Sequence, residues 1–236
     1  MPSGFISRRK STMKLNLLVA GMMAAMLPVG GAYAADNSGK MYVFGTAGMS
    51  RYKVDDLDAY YTEAVADYNA IPGVTATGQD DDSDLSFALG AGYQINPYVA
   101  VEGFYRNYGE LRMGLQAAGN GASASEEDRL KAAGLGAGLV GFLPLTEAFS
   151  LSLRVDAVGL RLKDDYHTED SSGSSSDESL MKTKLTLGLG VGGQYNFANG
   201  FSLRADVQHI RGELGDDDES SKVDINTISL GVVQAF

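Results

Sequence analysis

The sequence predicts an all-β protein, an eight-stranded antiparallel up-and-down transmembrane β-barrel preceded by a helical signal peptide. Three observations lead to this prediction. The first 34 residues have the charge and hydropathy order of an export signal. The rest of the chain contains eight segments in which every second residue is apolar. The connections between these segments are alternately short turns and long polar stretches.

Residues 1–34 are predicted to be a cleaved signal peptide. Arg8, Arg9, Lys10 and Lys14 supply positive charge, and the apolar run 15–27 follows. That run is shorter than the ~20 residues that a stable membrane anchor needs, although a retained anchor helix is the alternative. The small residues Ala32 and Ala34 form the cleavage motif, so we expect export by the secretion translocon. The sequence leaves open whether Met1 or Met13 is the true start.

The domain that remains, residues 35–236, is predicted to be the barrel with four long extracellular loops. No part of it contains 18 continuous apolar residues, which argues against a transmembrane helix. Glycines at alternate positions would weaken a helix by about 1 kcal/mol each. The eight alternating segments are 41–50, 85–94, 99–106, 133–139, 149–157, 185–192, 201–208 and 227–236.

The connections predict which rim of the barrel faces which compartment. Short turns are expected at 96–97, 144–147 and 198–200, and long polar connections near 53–84, 109–128, 163–182 and 211–222. Outer-membrane barrels have short periplasmic turns and longer extracellular loops. An even number of strands then places both ends of the barrel on the periplasmic side.

The two faces of the strands differ in a way that favours lipid outside the barrel. One face has Leu, Val, Phe and Tyr, while the other has Gly, Ser and Thr together with six charged residues. The interior of an eight-stranded barrel is narrow, so small residues with a few charges fit it better than large apolar ones. A soluble barrel with an apolar interior is the alternative. The six charged residues predicted to face the lumen are Glu102, Arg106, Arg154, Asp156, Arg204 and Asp206.

Aromatic residues beside the short turns predict a periplasmic girdle, as at the membrane interface of other barrels. Its members are Tyr93, Phe149, Tyr195, Phe197, Phe201 and Phe236. The candidates for an upper girdle are Met49, Tyr105 and His209.

The motifs resemble those of the OmpA transmembrane domain and the OmpX-like small barrels. The first strand (41–50), the passage 92–109 with an inward Glu and Arg, and the passage 140–157 carry this resemblance. The C-terminal segment with Gly231 and Phe236 is similar to the signal read by the barrel assembly machinery, although Gln234 replaces the usual aromatic residue. The resemblance excludes the peptidoglycan-binding domain of OmpA, so it implies no tethering to the cell wall.

Composition narrows the partners and functions. With no Cys the chain has no disulfides, and its formal net charge of −11 lacks the basic footprint of a nucleic-acid-binding protein. We expect a monomer in the bacterial outer membrane, in contact with membrane lipid and lipopolysaccharide. No cofactor or metal is expected, although weak divalent-cation bridging by the acidic runs 80–82, 164–165 and 216–219 is a hypothesis.

Three functions remain open at this stage. The first is a structural or adhesin-like barrel whose lumen is plugged by an ion-pair network and whose loops contact a host or cell-surface ligand. Tyr60, Tyr61 and Tyr68 in the first loop are suited to such contacts. The second is a narrow porin-like channel. The third is a lipid A-modifying enzyme that uses a His with a Ser. It is disfavoured because His167 lies in a loop among Asp and Ser residues and His209 has no Ser two residues away, although a Ser on a neighbouring strand is the alternative.

Overall fold

The computed structural model describes residues 37–236 apart from 55–56, 120, 171–174, 198–199 and 217–218. The predicted signal peptide, with Ala32 and Ala34, therefore lies outside the described residues. Within the described part, the elements are β1 (Met41–Val54), α1 (Leu57–Ala70), β2 (Val74–Asp81), β3 (Ser83–Asn96), β4 (Val99–Gly119), β5 (Ala122–Pro144), β6 (Phe149–Asp170), β7 (Ser175–Asn196), β8 (Phe201–Asp216) and β9 (Glu219–Ala235).

Eight of these strands form a closed antiparallel barrel, which confirms the predicted fold. Each strand pairs with the next in the order β1, β3, β4, β5, β6, β7, β8 and β9. β1 pairs with β9 through Tyr42 and Ala235 near one rim and through Val54 and Val223 near the other. β2 is a ninth strand that continues the line of β3 along the far half of β4. Because the sheet closes on itself, the part of the barrel next to the short turns has no free sheet edge.

An apolar band surrounds the outside of the barrel. Leu185 is 79% exposed and Leu135 is 70% exposed, and the next outward residues toward the short turns are Leu187 and Ala137. Large apolar side chains so exposed would be unfavourable in water, and lipid is the environment that suits them. Among the described residues, no helix has the length and apolar character needed to cross a membrane.

The strands are much longer than the alternation predicts. β4, β5, β6 and β7 have 21, 23, 22 and 22 residues, whereas a tilted strand crosses a bilayer with about 9–11. The segments 109–128, 163–182 and 211–222, expected as long loops, are mainly ends of paired strands, and 53–84 contains α1 and β2. The sheet thus projects well beyond the apolar band on the side away from the short turns.

A β-bulge explains why the alternation of inward and outward residues predicted only 99–106 of β4, although the strand continues to Gly119. The pairing with β5 shifts between Asn107 and Gly109, so that Tyr108 is the extra residue. Gly109 has φ +82°, a conformation that residues with a side chain rarely adopt. Beyond the bulge the buried positions change from even to odd numbers, with Leu111 and Met113 facing inward. A search for strict alternation therefore loses the strand at this point.

The projecting part of the barrel has the opposite polarity to the membrane part. Its inward side chains are mainly apolar, with Leu160, Leu162 and Ile225 at most 3% exposed, and they include the two acidic residues Asp128 and Asp164. Its outward neighbours include Arg161 and Lys163. This arrangement, apolar inside and charged outside, is that of a soluble β-protein, since water rather than lipid surrounds it.

α1 packs on the inward side of this extension. Val65 lies within contact distance of the position where a side chain at Gly78 of β2 would begin. The Tyr61 hydroxyl donates a hydrogen bond to Asp128 of β5 at 2.6 Å. The Asn69 side chain exchanges two hydrogen bonds with the backbone of Ala76 at 2.9 and 3.0 Å. These contacts attach the helix to the wall at both of its ends.

Candidate functional site in the barrel lumen

The structure brings all six predicted charged residues together inside the barrel. Each of the six is at most 4% exposed. They come from three strands, with Glu102 and Arg106 on β4, Arg154 and Asp156 on β6, and the remaining pair on β8. β4, β6 and β8 alternate with other strands around the barrel. Their side chains therefore meet from three directions across the lumen.

Glu102 is the centre of this network. Its Oε1 accepts a hydrogen bond from the Tyr42 hydroxyl at 2.8 Å, and it lies 2.7 Å from Nη1 of Arg204. Its Oε2 accepts from Nη2 of Arg154 at 2.9 Å. One buried carboxylate thus lies between two guanidinium groups, and Asp156 supplies a second negative charge beside Arg154. Such compensation is what keeps charges tolerable in a low-dielectric interior.

A chain of hydrogen bonds continues the network across the barrel. Arg154 donates from Nε to Oδ2 of Asp156 at 3.0 Å. The same carboxylate oxygen accepts from Nε2 of Gln208 at 2.5 Å. Gln208 in turn accepts from Nη1 of Arg106 at 2.6 Å through its Oε1. This series of hydrogen bonds therefore connects Tyr42 on β1 with Arg106 on β4 through β6 and β8.

Glycines on the intervening strands make room for these large side chains. A Cβ at Gly190 of β7 would lie 2.7 Å from Cγ of Arg154, and one at Gly138 of β5 would overlap Asp156. A Cβ at Gly136 would lie 2.5 Å from the Phe104 ring. Strands with long inward side chains thus alternate with strands that present glycine. This is the physical reason for the glycine-rich alternation in the sequence.

Aromatic rings extend the network. The Arg204 guanidinium carbon lies 5.3 Å from the ring centre of Phe44, and that of Arg154 lies 5.5 Å from the ring centre of Phe104. Guanidinium groups over ring faces are favourable in a desolvated site. Sequence reasoning did not single out Phe44, Phe104, Tyr42 or Gln208. The signal that points to them is that they share the inward parity of the charged residues.

The two charged residues of β8 are less completely satisfied than their neighbours. Arg204 lies within ion-pair distance of Glu102, but none of its three guanidinium nitrogens has a hydrogen-bond partner. Oδ2 of Asp206 has no partner either, and neither has Oγ of Ser229, which is paired with Asp206 in the β8–β9 register. Nε of Arg106 is also without one. Buried polar atoms of this kind are often paired with ordered water. The network therefore contains places where water would complete it.

An apolar layer lies directly beyond the charged network. It consists of fully or almost fully buried side chains that pack against one another: Tyr52, Tyr108, Leu111, Val158, Leu160, Ile210, Val223 and Ile225. Tyr108 is the next inward residue after Arg106 on β4, and the bulge shifts the inward positions only beyond it. The lumen is thus filled by two successive layers of different chemistry.

The aromatic residues predicted for the girdle lie near the short-turn rim. Tyr195 and Phe197 have ring centres 4.8 Å apart, and Phe197 and Phe201 have ring centres 5.7 Å apart. Phe149 pairs with Tyr195, and Tyr93 pairs with Met41. Phe236 is 68% exposed and donates its backbone N–H to Met41. A Cβ at Gly231 would approach the Gly45 carbonyl and Thr46 of β1.

The two histidines and the upper-girdle candidates face outward. His209 pairs with Leu189 and Asn226, and its Nδ1 lies 2.9 Å from Oδ1 of Asn226. His167 is exposed and pairs with Asp177 in the register of β6 and β7. Tyr105 packs against Phe87 with ring centres 6.1 Å apart, and Met49 lies in the outward row of β1. Thus the residues that pair directly with the histidines include no serine.

The acidic groups of the extension lie on both faces. Burial raises the pKa of Asp164 to about 6, with the charges of Asp128 and Asp165 adding to this effect. Burial also raises the pKa of Asp128, against the hydrogen bond from Tyr61. The pKa of Asp165 is lowered, first by its hydrogen bond with Lys163. In the part of the chain that the structure describes, no group of three or more His, Cys, Asp or Glu has an arrangement that would hold a metal ion.

The family of the chain follows from comparison with known domains. The model of the outer membrane protein beta-barrel domain matches residues 17–236. The chain belongs to this family. Membership agrees with the closed barrel and its outward apolar band, and it places the protein in the bacterial outer membrane. It also confirms the resemblance to OmpA- and OmpX-like small barrels, at the level of the family.

Three solved structures align with most of this chain at low sequence identity, each with a TM-score below 0.5. Ail of Yersinia pestis has 20% identity and a TM-score of 0.48, over 84% of this chain and 99% of that chain. OprG of Pseudomonas aeruginosa has 14% identity and a TM-score of 0.41, over 86% and 99%. Neisserial surface protein A has 14% identity and a TM-score of 0.45, over 83% and 97%. Comparison with curated protein sequences finds no match.

Proposed function

We propose that this chain is a closed structural barrel of the outer membrane with an adhesin-like surface role. The observation that carries the first half of the proposal is the two-layer filling of the lumen. A solute would have to displace an ion-pair network centred on Glu102 and then an apolar layer around Leu160 and Ile225. Breaking a buried ion pair costs about 3–5 kcal/mol. An apolar constriction also excludes water and ions.

The projecting sheet supports the surface role. β5 has 23 residues, about a dozen more than a strand needs to cross the bilayer. Its outer face is charged, and its inner face is packed and supports α1. A paired sheet holds its outer surface in one shape, so a ligand that binds there meets a preorganised surface. Tyr60 of α1 is 57% exposed and remains accessible for contact.

Single-channel recording tests the closed lumen. The folded wild-type protein, identified by its mobility in an unboiled gel, is expected to give no stable conductance in a planar bilayer. A variant with both layers weakened, Glu102→Ala with Leu160→Asn and Ile225→Asn, should conduct if it folds. A matched variant with Glu127→Ala on the outer face should behave as wild type. Stable conductance from the wild-type protein would refute the closed lumen.

A narrow pore is the second candidate, and the unpartnered polar atoms favour it. Water could bind inside the charged network at three polar atoms without a partner, Oδ2 of Asp206, Oγ of Ser229 and Nε of Arg106. Water in that layer leads to conduction only if the apolar layer opens. The recording therefore distinguishes the two candidates directly.

We also propose that the barrel is not an enzyme. A histidine acts as a general base only with a partner within hydrogen-bond reach. His209 has Asn226 and Asp224 as its neighbours, with Nε2 lying 3.7 Å from Oδ1 of Asp224, and it lacks a directly paired nucleophile in the described residues. The test is mass spectrometry of lipid A from cells that overproduce the protein. A new acylation pattern that depends on His209 would contradict this proposal.

A further inference from the structure

The wall of the extension has an open seam between β7 and β8. The two strands pair with each other from Asn196 and Ser202 up to Gly188 and Ile210. Beyond that point, residues 175–187 of β7 pair with β6, and the end of β8 pairs with β9. Among the described residues, no strand pairs with 175–187 on the side toward β8. We refer to 175–187 as the β7 edge, because its backbone N–H and C=O groups on that side are open to a further strand.

The packing of β8 produces this seam. A Cβ at Gly212 would lie 2.8 Å from Leu160 and 3.1 Å from Leu162, so the end of β8 lies over the inner face of β6 rather than beside β7. Near the base of the seam, Nζ of Lys184 lies 3.1 Å from Oε2 of Glu213. A side-chain ion pair thus connects the two strands where their backbone pairing has ended. Above this ion pair, residues 178–181 of the β7 edge are all exposed.

Opposite charges flank Leu180 on the β7 edge. Glu178 lies two residues before it and Lys182 two residues after it, and all three share one face of the strand because strand side chains alternate. If two copies of this edge pair antiparallel with Leu180 opposite Leu180, each Glu178 lies opposite Lys182 of the second copy. Cross-strand pairs of opposite charge stabilise a sheet. The edge is therefore complementary to itself, as a two-fold symmetric interface requires.

The same charges disfavour a parallel pair. In a parallel pair in register, Glu178 would lie beside Glu178 and Lys182 beside Lys182, and like charges directly opposite each other are destabilising. All copies in one membrane have the same orientation, so their β7 strands run through it in the same direction. A two-fold axis that gives antiparallel pairing lies parallel to the membrane and inverts the second copy. The second copy therefore belongs to a membrane that faces the first.

We propose that the β7 edge binds the β7 edge of a second copy in the outer membrane of a neighbouring cell, and so holds the two cells together. This inference rests on the proposed surface role and names its partner. Residues 176–184 would pair with the same residues of the second copy over about 30 Å of strand. Antiparallel strands form two backbone hydrogen bonds at every second position, so this length gives about eight to ten of them.

The position of the edge sets how near the two membranes must be. Leu185 is the last outward leucine of the apolar band on β7, and Leu180 lies about 17 Å further along the strand. Two copies that meet at Leu180 therefore hold their apolar bands at most about 34 Å apart. Headgroup layers occupy about 5–8 Å of this distance on each side, which leaves room for the paired sheets. Long surface polysaccharide would keep the edges apart, so the test uses cells without it.

Two-colour clustering of such cells tests the pairing, and cells that produce the wild-type protein should form mixed clusters. Glu178→Lys alone and Lys182→Glu alone should each reduce clustering about tenfold, because both opposite-charge pairs become like-charge pairs. Cells with Glu178→Lys should cluster with cells with Lys182→Glu about as well as wild type, since the pairs between these two variants are again opposite in charge. Glu147→Lys and Lys40→Glu make the same charge changes near the short-turn rim and are the matched controls, which should cluster as wild type.

A cysteine at the two-fold axis gives a second readout. The chain has no Cys, so any disulfide between copies comes from the introduced residue. Leu180→Cys should form a disulfide-linked dimer when cells cluster, because Leu180 faces itself in the antiparallel pair at a distance that a disulfide spans. Ser176→Cys should not, because Ser176 faces Lys184 of the second copy.

Four results would overturn the proposal, with the gel mobility of each unboiled variant verifying that it folds. One is clustering of the single charge variants at or above the wild-type level, since the charges would then protect the edge from pairing. Another is a mixture of the two variants that clusters no better than either alone. The third is a dimer through Ser176→Cys as readily as through Leu180→Cys, which would indicate parallel pairing within one membrane. The fourth is a failure of wild-type cells to adhere to one another. Adhesion of those cells to cells that lack the protein would then leave the surface role with a different partner, whereas absence of all adhesion would contradict that role too.

Discussion

Glu102 offers the sharpest test of how the lumen is stabilised. Replacing it with Gln keeps the size of the side chain and one acceptor oxygen but removes the charge between Arg154 and Arg204. Both guanidinium groups are 2% exposed and remain buried after the change. Arg154 keeps Asp156, whereas Arg204 loses the carboxylate 2.7 Å away. The variant therefore leaves an excess positive charge in the interior.

The size of the effect follows from the burial of the pair. Removing one partner of a buried ion pair typically costs about 3–5 kcal/mol, because the other charge has no compensation. Gln still accepts one hydrogen bond, so we expect a value near the lower end, about 3 kcal/mol. The matched control is Glu127→Gln. Its ion pair with Arg129 at 2.8 Å has side chains that are 42% and 46% exposed, and such surface pairs contribute about 0–1 kcal/mol.

Urea unfolding in phospholipid vesicles measures this difference, with the mobility of unboiled samples reporting the folded fraction. A loss of about 3 kcal/mol corresponds to a decrease of about 1–3 M in the urea midpoint for typical slopes. The second change Arg204→Met should recover part of the loss in the Glu102→Gln background, since it removes the excess cation. The reasoning is wrong if Glu102→Gln is no less stable than Glu127→Gln, or if Arg204→Met makes it still less stable.

Three further predictions concern the glycine strands and the extension. Gly138→Ala should strongly lower the yield of folded barrel in the gel assay, because the added Cβ would overlap the carboxylate of Asp156 in the lumen. Gly103→Ala is the control and should fold normally, because nothing lies within 4 Å of its Cβ position. Equal yields of the two variants would show that Gly138 is not needed to make room for Asp156. Tyr61→Phe removes the hydrogen bond to Asp128 and should reduce hydrogen-exchange protection of α1 by about 1–2 kcal/mol, while unchanged protection would exclude that contact as an attachment. The raised pKa of Asp164, about 6, means that the folded extension binds the proton more tightly than the unfolded chain, so local stability should increase as the pH falls from 7 to 4. Asp164→Asn should reduce this dependence to the part that the raised pKa of Asp128 contributes, and a stability of the wild-type extension that falls over this range would refute the reasoning.

Much of the membrane part of this protein follows from its sequence. Alternation of apolar and small residues predicts the eight strands, since side chains on a strand point to opposite faces. The inward parity then predicts that Glu102, Arg154 and Arg204 share the lumen. The short turns and the terminal Phe236 predict which rim carries the aromatic residues. These inferences depend only on local periodicity, which each strand has independently of its neighbours.

Other features were decided by tertiary structure. The extension was missed because the bulge at Gly109 changes parity, and because the preferred inward residue changes from polar to apolar where lipid gives way to water. The apolar layer around Leu160 and Ile225 was missed for the same reason. The partners of each charge depend on register across strands, as between Glu102 on β4 and Arg204 on β8, which no single segment encodes. The sequence by itself thus determined which residues face the lumen and the lipid, whereas only the closed barrel decided which of them meet, because those contacts join residues as far apart as Arg106 and Gln208.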